Sequence, residues 1–188
     1  IPRVLEIPGR DLGGVMPAMP YLAASNRVVS GTLAETPFDA AGKHVIVIGG
    51  GDTGADCVGT ANRQGAASVT NLAIGRKPGL VRTESQPWPV HPTLFEVTSS
   101  HEEGGERRYL ASTVEFLGDA QGQVHGLRVA ETGITERGRE PIPGTERVLE
   151  ADLVLIAMGF SGPEHIDDAG FPLGRSARGA FARERDYS

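Results

Sequence analysis

The sequence has 188 residues, enough for one substantial core, with 24 acidic and 18 basic side chains and a formal net charge of −6. This acidic balance, without a block of Lys and Arg, argues against nucleic acid or an anionic membrane as the main partner. No run approaches the roughly 18 apolar residues of a membrane span, so we expect no membrane insertion. The single cysteine, Cys57, cannot form an internal disulfide. This favours a reducing compartment, and we expect the cytoplasm.

Proline and glycine punctuate the start of the chain. Residues 1–20 predict a loop, residues 21–29 a short helix, and residues 30–42 a linker. The chain begins at Ile1 within a Pro/Gly-rich stretch and ends at Ser188 without an evident closing element. We therefore expect it to be a piece of a longer protein.

An apolar, β-branched run at residues 45–48 is typical of a strand buried on both faces of a parallel sheet. Glycines follow at residues 49–51, and then a helix is predicted over residues 53–64. A second strand is predicted over residues 68–74. Strand, helix and strand in this order form one βαβ unit.

The second half of the chain predicts mostly strands. A polar loop over residues 75–92 and a short helix within residues 92–101 come first. Four strands are then predicted at residues 113–117, 124–131, 147–150 and 153–157. The first two predict an antiparallel hairpin with which the third pairs, and the fourth is fully apolar. The expected fold class is α/β, with a central parallel sheet and an inserted antiparallel hairpin or meander.

A glycine motif lies between the first predicted strand and its helix. Gly49, Gly51 and Gly54 satisfy G-x-G-x-x-G, and Gly50 lies between the first two. In this pattern Gly49 makes the tight turn, Gly51 admits a pyrophosphate, and Gly54 allows close helix packing. The free N–H groups of a helix N-terminus attract phosphate. The motif predicts a Rossmann-like NAD(P)-binding domain; the alternatives are a turn without a ligand and another nucleotide-like ligand.

Two polar residues within the motif have open roles. A carboxylate beside a pyrophosphate is repulsive, so we expect Asp52 to turn away and cap the helix, or to reach a ribose or an adjacent domain. The Thr53 hydroxyl either donates to a phosphate oxygen or caps the helix.

The end of the second predicted strand indicates which dinucleotide binds. An acidic residue about 20 residues after the glycines normally binds a ribose 2′-hydroxyl, but the sequence here is Ala-Ile-Gly-Arg-Lys. Arg76 and Lys77 stand where a 2′-phosphate is expected, and Arg82 follows in the same loop. These cations favour NADP(H) over NAD(H) and argue against FAD at this loop. The alternative is that they are solvated loop charges.

The last apolar strand ends on Ala157, Met158 and Gly159, which we expect at the ligand crevice beyond the carboxyl edge of the sheet. The alternative for Gly159 is simple strand termination. We expect Glu102 and Glu103 to lie at a solvated helix end and not to act as catalytic acids. We predict no catalytic residue and no metal site, because neither a nucleophile arrangement nor a metal-ligand spacing is evident.

Several segments in order resemble the NADPH-binding region of the glutamate synthase small (beta) subunit. They are VIVIGGGDTGADCVGTANRQGAASVTNL, SQPWPVHP, SSHEEGGERRY, TVEFLGD and ADLVLIAMGF. The resemblance covers roughly residues 5–170, and the tail from about Gly162 matches less well. Similar designs occur in the flavin subunits of NADPH-dependent ferredoxin reductases and in the NADPH-to-flavin arm of dihydropyrimidine dehydrogenase.

This resemblance implies an NADPH-binding domain at residues 43–160, inserted into a split FAD-binding domain. Residues 1–42 then form the crossing segment and residues 161–188 the start of the return segment. It implies NADPH as the cofactor of this chain, with FAD and iron–sulfur clusters only in the full-length protein. The implied partner is the large subunit, and the implied product is glutamate. The fragment alone is expected to be inactive. The alternatives are an NADPH-binding module of another flavoprotein electron-transfer subunit, similar to a ferredoxin:NADP reductase, or a non-catalytic nucleotide-binding fragment.

Overall fold

The computed structural model describes residues 1–163, 174, 176 and 180–182, so most of the expected return segment lies outside the described residues. Among the residues it describes, no helix combines the length and apolar character needed to cross a membrane. The elements in chain order are β1 (Val15–Pro17), α1 (Ala18–Val29), β2 (His44–Ile48), α2 (Asp52–Arg63), β3 (Ser68–Ala73), α3 (Ser99–Glu102), β4 (Glu106–Tyr109), β5 (Ala111–Gly118), β6 (Val124–Thr135), β7 (Gly138–Pro141), β8 (Arg147–Glu150) and β9 (Leu153–Ile156).

A parallel sheet forms the centre of the fold. Within the described residues it has five strands in the order β1-β9-β2-β3-β4, and every neighbouring pair is parallel. Val45 of the central strand β2 is paired with Val69 of β3 on one side and Leu153 of β9 on the other. The chain therefore leaves β2 toward β3 but returns through β9 on the opposite side. Ligands bind at such a reversal of strand order, beyond the carboxyl ends.

The parallel sheet is covered on both faces, as its apolar strands predict. On one face, Val45 and Val47 pack with Tyr21 of α1 and with Cys57 and Val58 of α2. Burial of each such aliphatic side chain stabilises the fold by roughly 1.5–3 kcal/mol.

The opposite face packs on an antiparallel sheet. There β6 pairs with β5, β7 and β8. Ile46 and Val154 of the parallel sheet pack with Phe116, Leu127 and Val129 of the antiparallel one. The predicted α/β fold class, with a parallel sheet and an inserted antiparallel unit, is confirmed.

The structure corrects several predicted elements. Residues 15–17, expected within a loop, form β1 because they pair with β9. The first helix begins at Ala18 rather than residue 21, because Pro20 lies in the first turn, where a missing N–H costs nothing. The helix expected within residues 92–101 is the four-residue α3 alone. β4 and β7 were not predicted, since both are short and rich in charged residues.

Candidate functional site

The glycine loop turns sharply from β2 into α2, and two of its glycines are required by close packing. Gly49 has φ +131°, and a Cβ placed on it would lie 2.1 Å from the carbonyl oxygen of Ala157. A Cβ on Gly54 would lie 2.2 Å from the carbonyl oxygen of Gly49. By contrast, apart from the adjoining residues of the chain, no described residue has an atom within 4 Å of a Cβ placed on Gly51. Gly51 therefore faces open space, whereas Gly49 and Gly54 hold the loop against the sheet.

The N-terminus of α2 leaves backbone donors available. Gly51 is the N-cap, and among the described residues no side chain forms a capping hydrogen bond there. The first helical hydrogen bond runs from the N–H of Ala55 to the carbonyl of Gly51, so the N–H groups of Asp52, Thr53 and Gly54 precede the ladder. The predictions that Asp52 or Thr53 caps the helix are therefore wrong. A glycine at the N-cap leaves these N–H groups to a ligand or to water.

A cavity of about 730 Å³ lies over this loop, at the carboxyl ends of β9, β2 and β3. This volume lies within the range of roughly 300–1,000 Å³ that is typical of ligand pockets. Its lining brings together eight of the predicted site residues: Gly49, Gly50, Gly51, Asp52, Thr53, Ala157, Met158 and Gly159. Gly54 is buried behind them. The far wall comes from the start of β5 and from β7.

The predicted cations do not lie together. Arg76 is exposed and follows Gly75, which lines the large cavity. Within the described part of the chain, no hydrogen bond or ion pair involves the Arg76 guanidinium. Lys77 instead places its Nζ 4.2 Å from the centroid of the Phe95 ring, which Arg107 also approaches at 4.4 Å.

Arg82 lies in the same loop but is engaged with backbone. Its Nη1 donates to the carbonyls of Gln86 at 2.7 Å and Val90 at 2.6 Å. Neither Arg82 nor Lys77 belongs to the lining of the large cavity. Arg76 is also absent from that lining, but it directly follows Gly75, which belongs to it.

Asn71 on β3 supports the glycine loop and was not predicted. Its side chain is 3% exposed, and Nδ2 donates to the carbonyl oxygens of Gly49 at 2.7 Å and Val47 at 3.2 Å. These bonds fix the end of β2 at the point where the chain turns. The sequence signal is the one amide of β3, directly before the apolar Leu72, since a buried amide needs partners.

Two arginines of the cavity lining also went unpredicted. Arg3 contributes from the N-terminal segment, and its Nε donates to the carbonyl of Phe160 at 3.2 Å. Arg139 contributes from β7. Among the described residues, Asp52 is the single carboxylate of the lining, so cationic groups outnumber it.

A smaller cavity of about 160 Å³ shares Gly50, Gly51 and Asp52 with the large one. His101 lines it, and burial, with the positive charge of Arg107 as a smaller contribution, lowers the pKa of that imidazole. The ring is therefore neutral near pH 7 and adds no positive charge to this cavity.

Cys57 lies on α2 and is fully buried as a small core residue. Burial, with a smaller contribution from Asp56, raises the pKa of the thiol to about 12. The described residues contain no group of three or more His, Cys, Asp or Glu side chains that could hold a metal ion. Glu103 pairs with Arg63, and Glu102 is exposed.

Curated relatives show what this chain is similar to. The small chain of NADPH glutamate synthase from Mycobacterium tuberculosis is 44% identical over 193 residues, which covers 98% of this chain and 39% of that protein. The chain is homologous to a segment of the glutamate synthase small chain. The resemblance inferred from the sequence motifs is thereby confirmed. No protein-family model matches the chain.

Other relatives carry different names. Glutamate synthase [NADH] of Saccharomyces cerevisiae is 36% identical over 202 residues, which covers 100% of this chain and 9% of that protein. Putative oxidoreductase AegA of Escherichia coli is 37% identical over 164 residues, which covers 82% of this chain and 23% of AegA. Because the names include both NADPH and NADH, homology alone does not choose the dinucleotide.

The solved structures show the same fold. FprA of M. tuberculosis in complex with NADPH superposes with a TM-score of 0.56 at 18% identity, over 92% of this chain and 50% of FprA. Thioredoxin reductase of T. acidophilum superposes with a TM-score of 0.60 at 17% identity, over 98% of this chain and 49% of that one.

Proposed function

We propose that this chain docks NADPH in a flavin-dependent oxidoreductase of the glutamate synthase type, where hydride passes from NADPH to FAD. The observation that carries the proposal is the cavity of about 730 Å³ at the carboxyl ends of three adjacent parallel strands, walled by the glycine loop. When bound, the dinucleotide supplies the hydride. The residues of this chain bind and orient it, and this work requires no acid or base.

The fit of a pyrophosphate is supported by the glycine loop itself. The space beyond Gly51 is open, and the N–H groups of Asp52, Thr53 and Gly54 precede the helical ladder. Phosphate oxygens accept hydrogen bonds from such groups, and the partial positive charge of the helix N-terminus adds to the attraction. The Thr53 hydroxyl, which makes no hydrogen bond within the described residues, is a further candidate donor.

The proposed direction of the dinucleotide rests on the rule that the end of the second strand after the glycine motif binds the adenosine ribose. With the pyrophosphate over β2, the adenosine end lies toward β3 and the nicotinamide end toward β9. At the β3 end the sequence has Gly75 and Arg76 in place of a carboxylate, which supports a 2′-phosphate. At the β9 end, Ala157 to Gly159 line the cavity, and Gly159 has no side chain to obstruct the ring.

The wider assignment belongs to the same proposal. Residues 43–160 are the dinucleotide-binding domain, residues 1–42 are a crossing segment from a FAD domain, and residues 161–188 return to it. FAD, iron–sulfur clusters and a large-subunit partner belong to the full-length protein. A cytoplasmic location accords with the single buried cysteine.

The proposal is tested by calorimetric titration of the chain with NADPH and NADH in parallel. We expect NADPH to bind at least about tenfold more tightly, and Arg76→Ala to remove most of that preference. Arg27→Ala is the matched control, because Arg27 lies on α1 beside a separate cavity. If neither dinucleotide binds, the docking function is wrong; if NADH binds as tightly as NADPH, the 2′-phosphate assignment is wrong.

A second candidate is an NADPH-binding module of another flavoprotein electron-transfer subunit. The match to AegA favours it, because AegA is named an oxidoreductase and not a glutamate synthase. The two candidates differ in the partner and not in this site. Copurification of the full-length protein with a glutamate synthase large subunit supports the first candidate. NADPH oxidation that reduces a different acceptor protein and forms no glutamate supports the second.

A further inference from the structure

Arg139 lies on a hairpin that reaches from the antiparallel sheet to the large cavity. β7 pairs with the last residues of β6, with Ile134 opposite Arg139 and Thr132 opposite Pro141. Arg139 and Pro141 both line the cavity, on the wall that faces the ends of the parallel strands. The antiparallel sheet therefore contributes a cation to a cavity whose floor belongs to the other sheet.

The guanidinium of Arg139 lies above the end of β3. A Cβ placed on Gly75 would stand 3.7 Å from Nη2 of Arg139 and 3.9 Å from its Cζ. Arg76 is the next residue along the chain after Gly75, so an arginine of the loop after β3 lies close in sequence to the point that the Arg139 guanidinium reaches from β7. A larger residue at position 75 would compete with Arg139 for this space.

The Arg139 side chain has unused donors. Among the residues that the structure describes, no ion pair or hydrogen bond involves its guanidinium, and the same is true of Arg76. An arginine that serves only structure or solubility gains little by pointing into a cavity. A planar guanidinium with five N–H donors matches the oxygens of a phosphate.

We propose that Arg139 is a specificity-determining residue, which binds the 2′-phosphate of the adenosine ribose opposite Arg76. This inference rests on the proposed dinucleotide function and adds to it a phosphate ligand from the β6–β7 hairpin. Two arginines on opposite sides pair with a dianionic phosphate, whereas the 2′-hydroxyl of NADH offers them no charge. Arg139 thus selects the phosphorylated ligand and leaves the pyrophosphate to the glycine loop.

The test compares ligands with and without the 2′-phosphate. Dissociation constants are measured calorimetrically for NADPH, NADH, 2′,5′-ADP and 5′-AMP with the unsubstituted chain and with Arg139→Ala. The matched control is Arg137→Ala, since Arg137 is an exposed arginine at the turn of the same hairpin and does not line the cavity. Arg139→Lys and Arg139→Gln supply variants of similar length, and circular dichroism verifies that each variant folds.

We expect Arg139→Ala to weaken the binding of NADPH and 2′,5′-ADP by about tenfold to a hundredfold, and the binding of NADH and 5′-AMP by less than about twofold. The NADPH affinity of Arg139→Lys should lie between those of the unsubstituted chain and Arg139→Gln. Arg137→Ala should change the affinity for none of the four ligands. Equal weakening of both ligand classes would overturn the inference, because the residue would then serve the pyrophosphate or the fold. Unchanged NADPH affinity would also overturn it while leaving dinucleotide docking intact. Absence of binding by the unsubstituted chain would overturn both proposals.

Discussion

Alanine substitutions at Gly51 and Gly54 should separate two roles within one glycine motif. The site of a Cβ on Gly51 has no described neighbour within 4 Å, whereas a Cβ on Gly54 would lie 2.2 Å from the carbonyl oxygen of Gly49. Gly51 has φ −96°, which alanine adopts without strain. We therefore expect Gly51→Ala to keep the fold and lose the ligand, and Gly54→Ala to lose stability.

The magnitudes follow from these contacts. For Gly54→Ala the helix must move by about 1 Å to relieve the contact with Gly49. Such overpacking costs about 1–3 kcal/mol, partly offset by about 1 kcal/mol of helix propensity. Because the contacted atom is a backbone carbonyl oxygen at 2.2 Å and not the end of a flexible side chain, we expect the upper part of this range, about 2–3 kcal/mol. The net loss of about 1–2 kcal/mol then lowers Tm by roughly 2–8 °C. For Gly51→Ala, a poorer N-cap costs about 0.5–1 kcal/mol, and the lower entropy of the unfolded chain returns about as much.

The assay combines thermal unfolding by circular dichroism with calorimetric titration of NADPH. Gly51→Ala should retain the Tm of the unsubstituted chain to within about 2 °C and bind NADPH at least about tenfold more weakly, because its methyl group occupies the space of the pyrophosphate. Unchanged NADPH affinity in Gly51→Ala would refute the binding of the pyrophosphate at the N-terminus of α2. An unchanged Tm in Gly54→Ala would refute the close approach of α2 to the glycine turn.

Two further predictions concern the support of the loop and the helix behind it. Asn71→Ala removes both hydrogen bonds to the end of β2. It should therefore lower the free energy of unfolding by about 1–3 kcal/mol, measured by denaturant unfolding, and should also weaken NADPH binding. The control is Thr70→Ala, because Thr70 lies on the same strand but is half-buried. A loss of unfolding free energy no larger than that of the control would contradict this role. Cys57, with its thiol pKa raised to about 12, should resist iodoacetamide at pH 8 in the folded chain and react on unfolding, because the thiolate fraction falls about a thousandfold. Fast alkylation of the native chain would show that α2 does not bury this thiol.

The sequence predicted the parts of the fold in which local signals and burial agree. β2 is apolar and β-branched and runs directly into a glycine motif, so its place in a parallel sheet could be inferred from neighbouring residues alone. β7 could not be inferred in that way, because Gly138, Arg139 and Glu140 are exposed and are held in a strand only by pairing with β6. Likewise, the spacing after the glycines pointed to Arg76, which follows the lining residue Gly75, but it could not show that Lys77 lies on an aromatic ring.

The proposed preference for NADPH over NADH depends on residues outside the glycine loop. In the proposed function the glycine loop binds the pyrophosphate, a part of the ligand that NADPH and NADH share, and relatives named for either dinucleotide match this chain. Discrimination therefore depends on residues beyond the loop, at the end of β3 and on the β6–β7 hairpin. The side chains of Arg76 and Arg139 at these two places are exposed and charged and belong to neither core cluster, so each can change at little cost to the fold. An exchange at Arg76 or Arg139 should accordingly alter dinucleotide preference while the βαβ unit, held by buried β2 and by Asn71, stays intact.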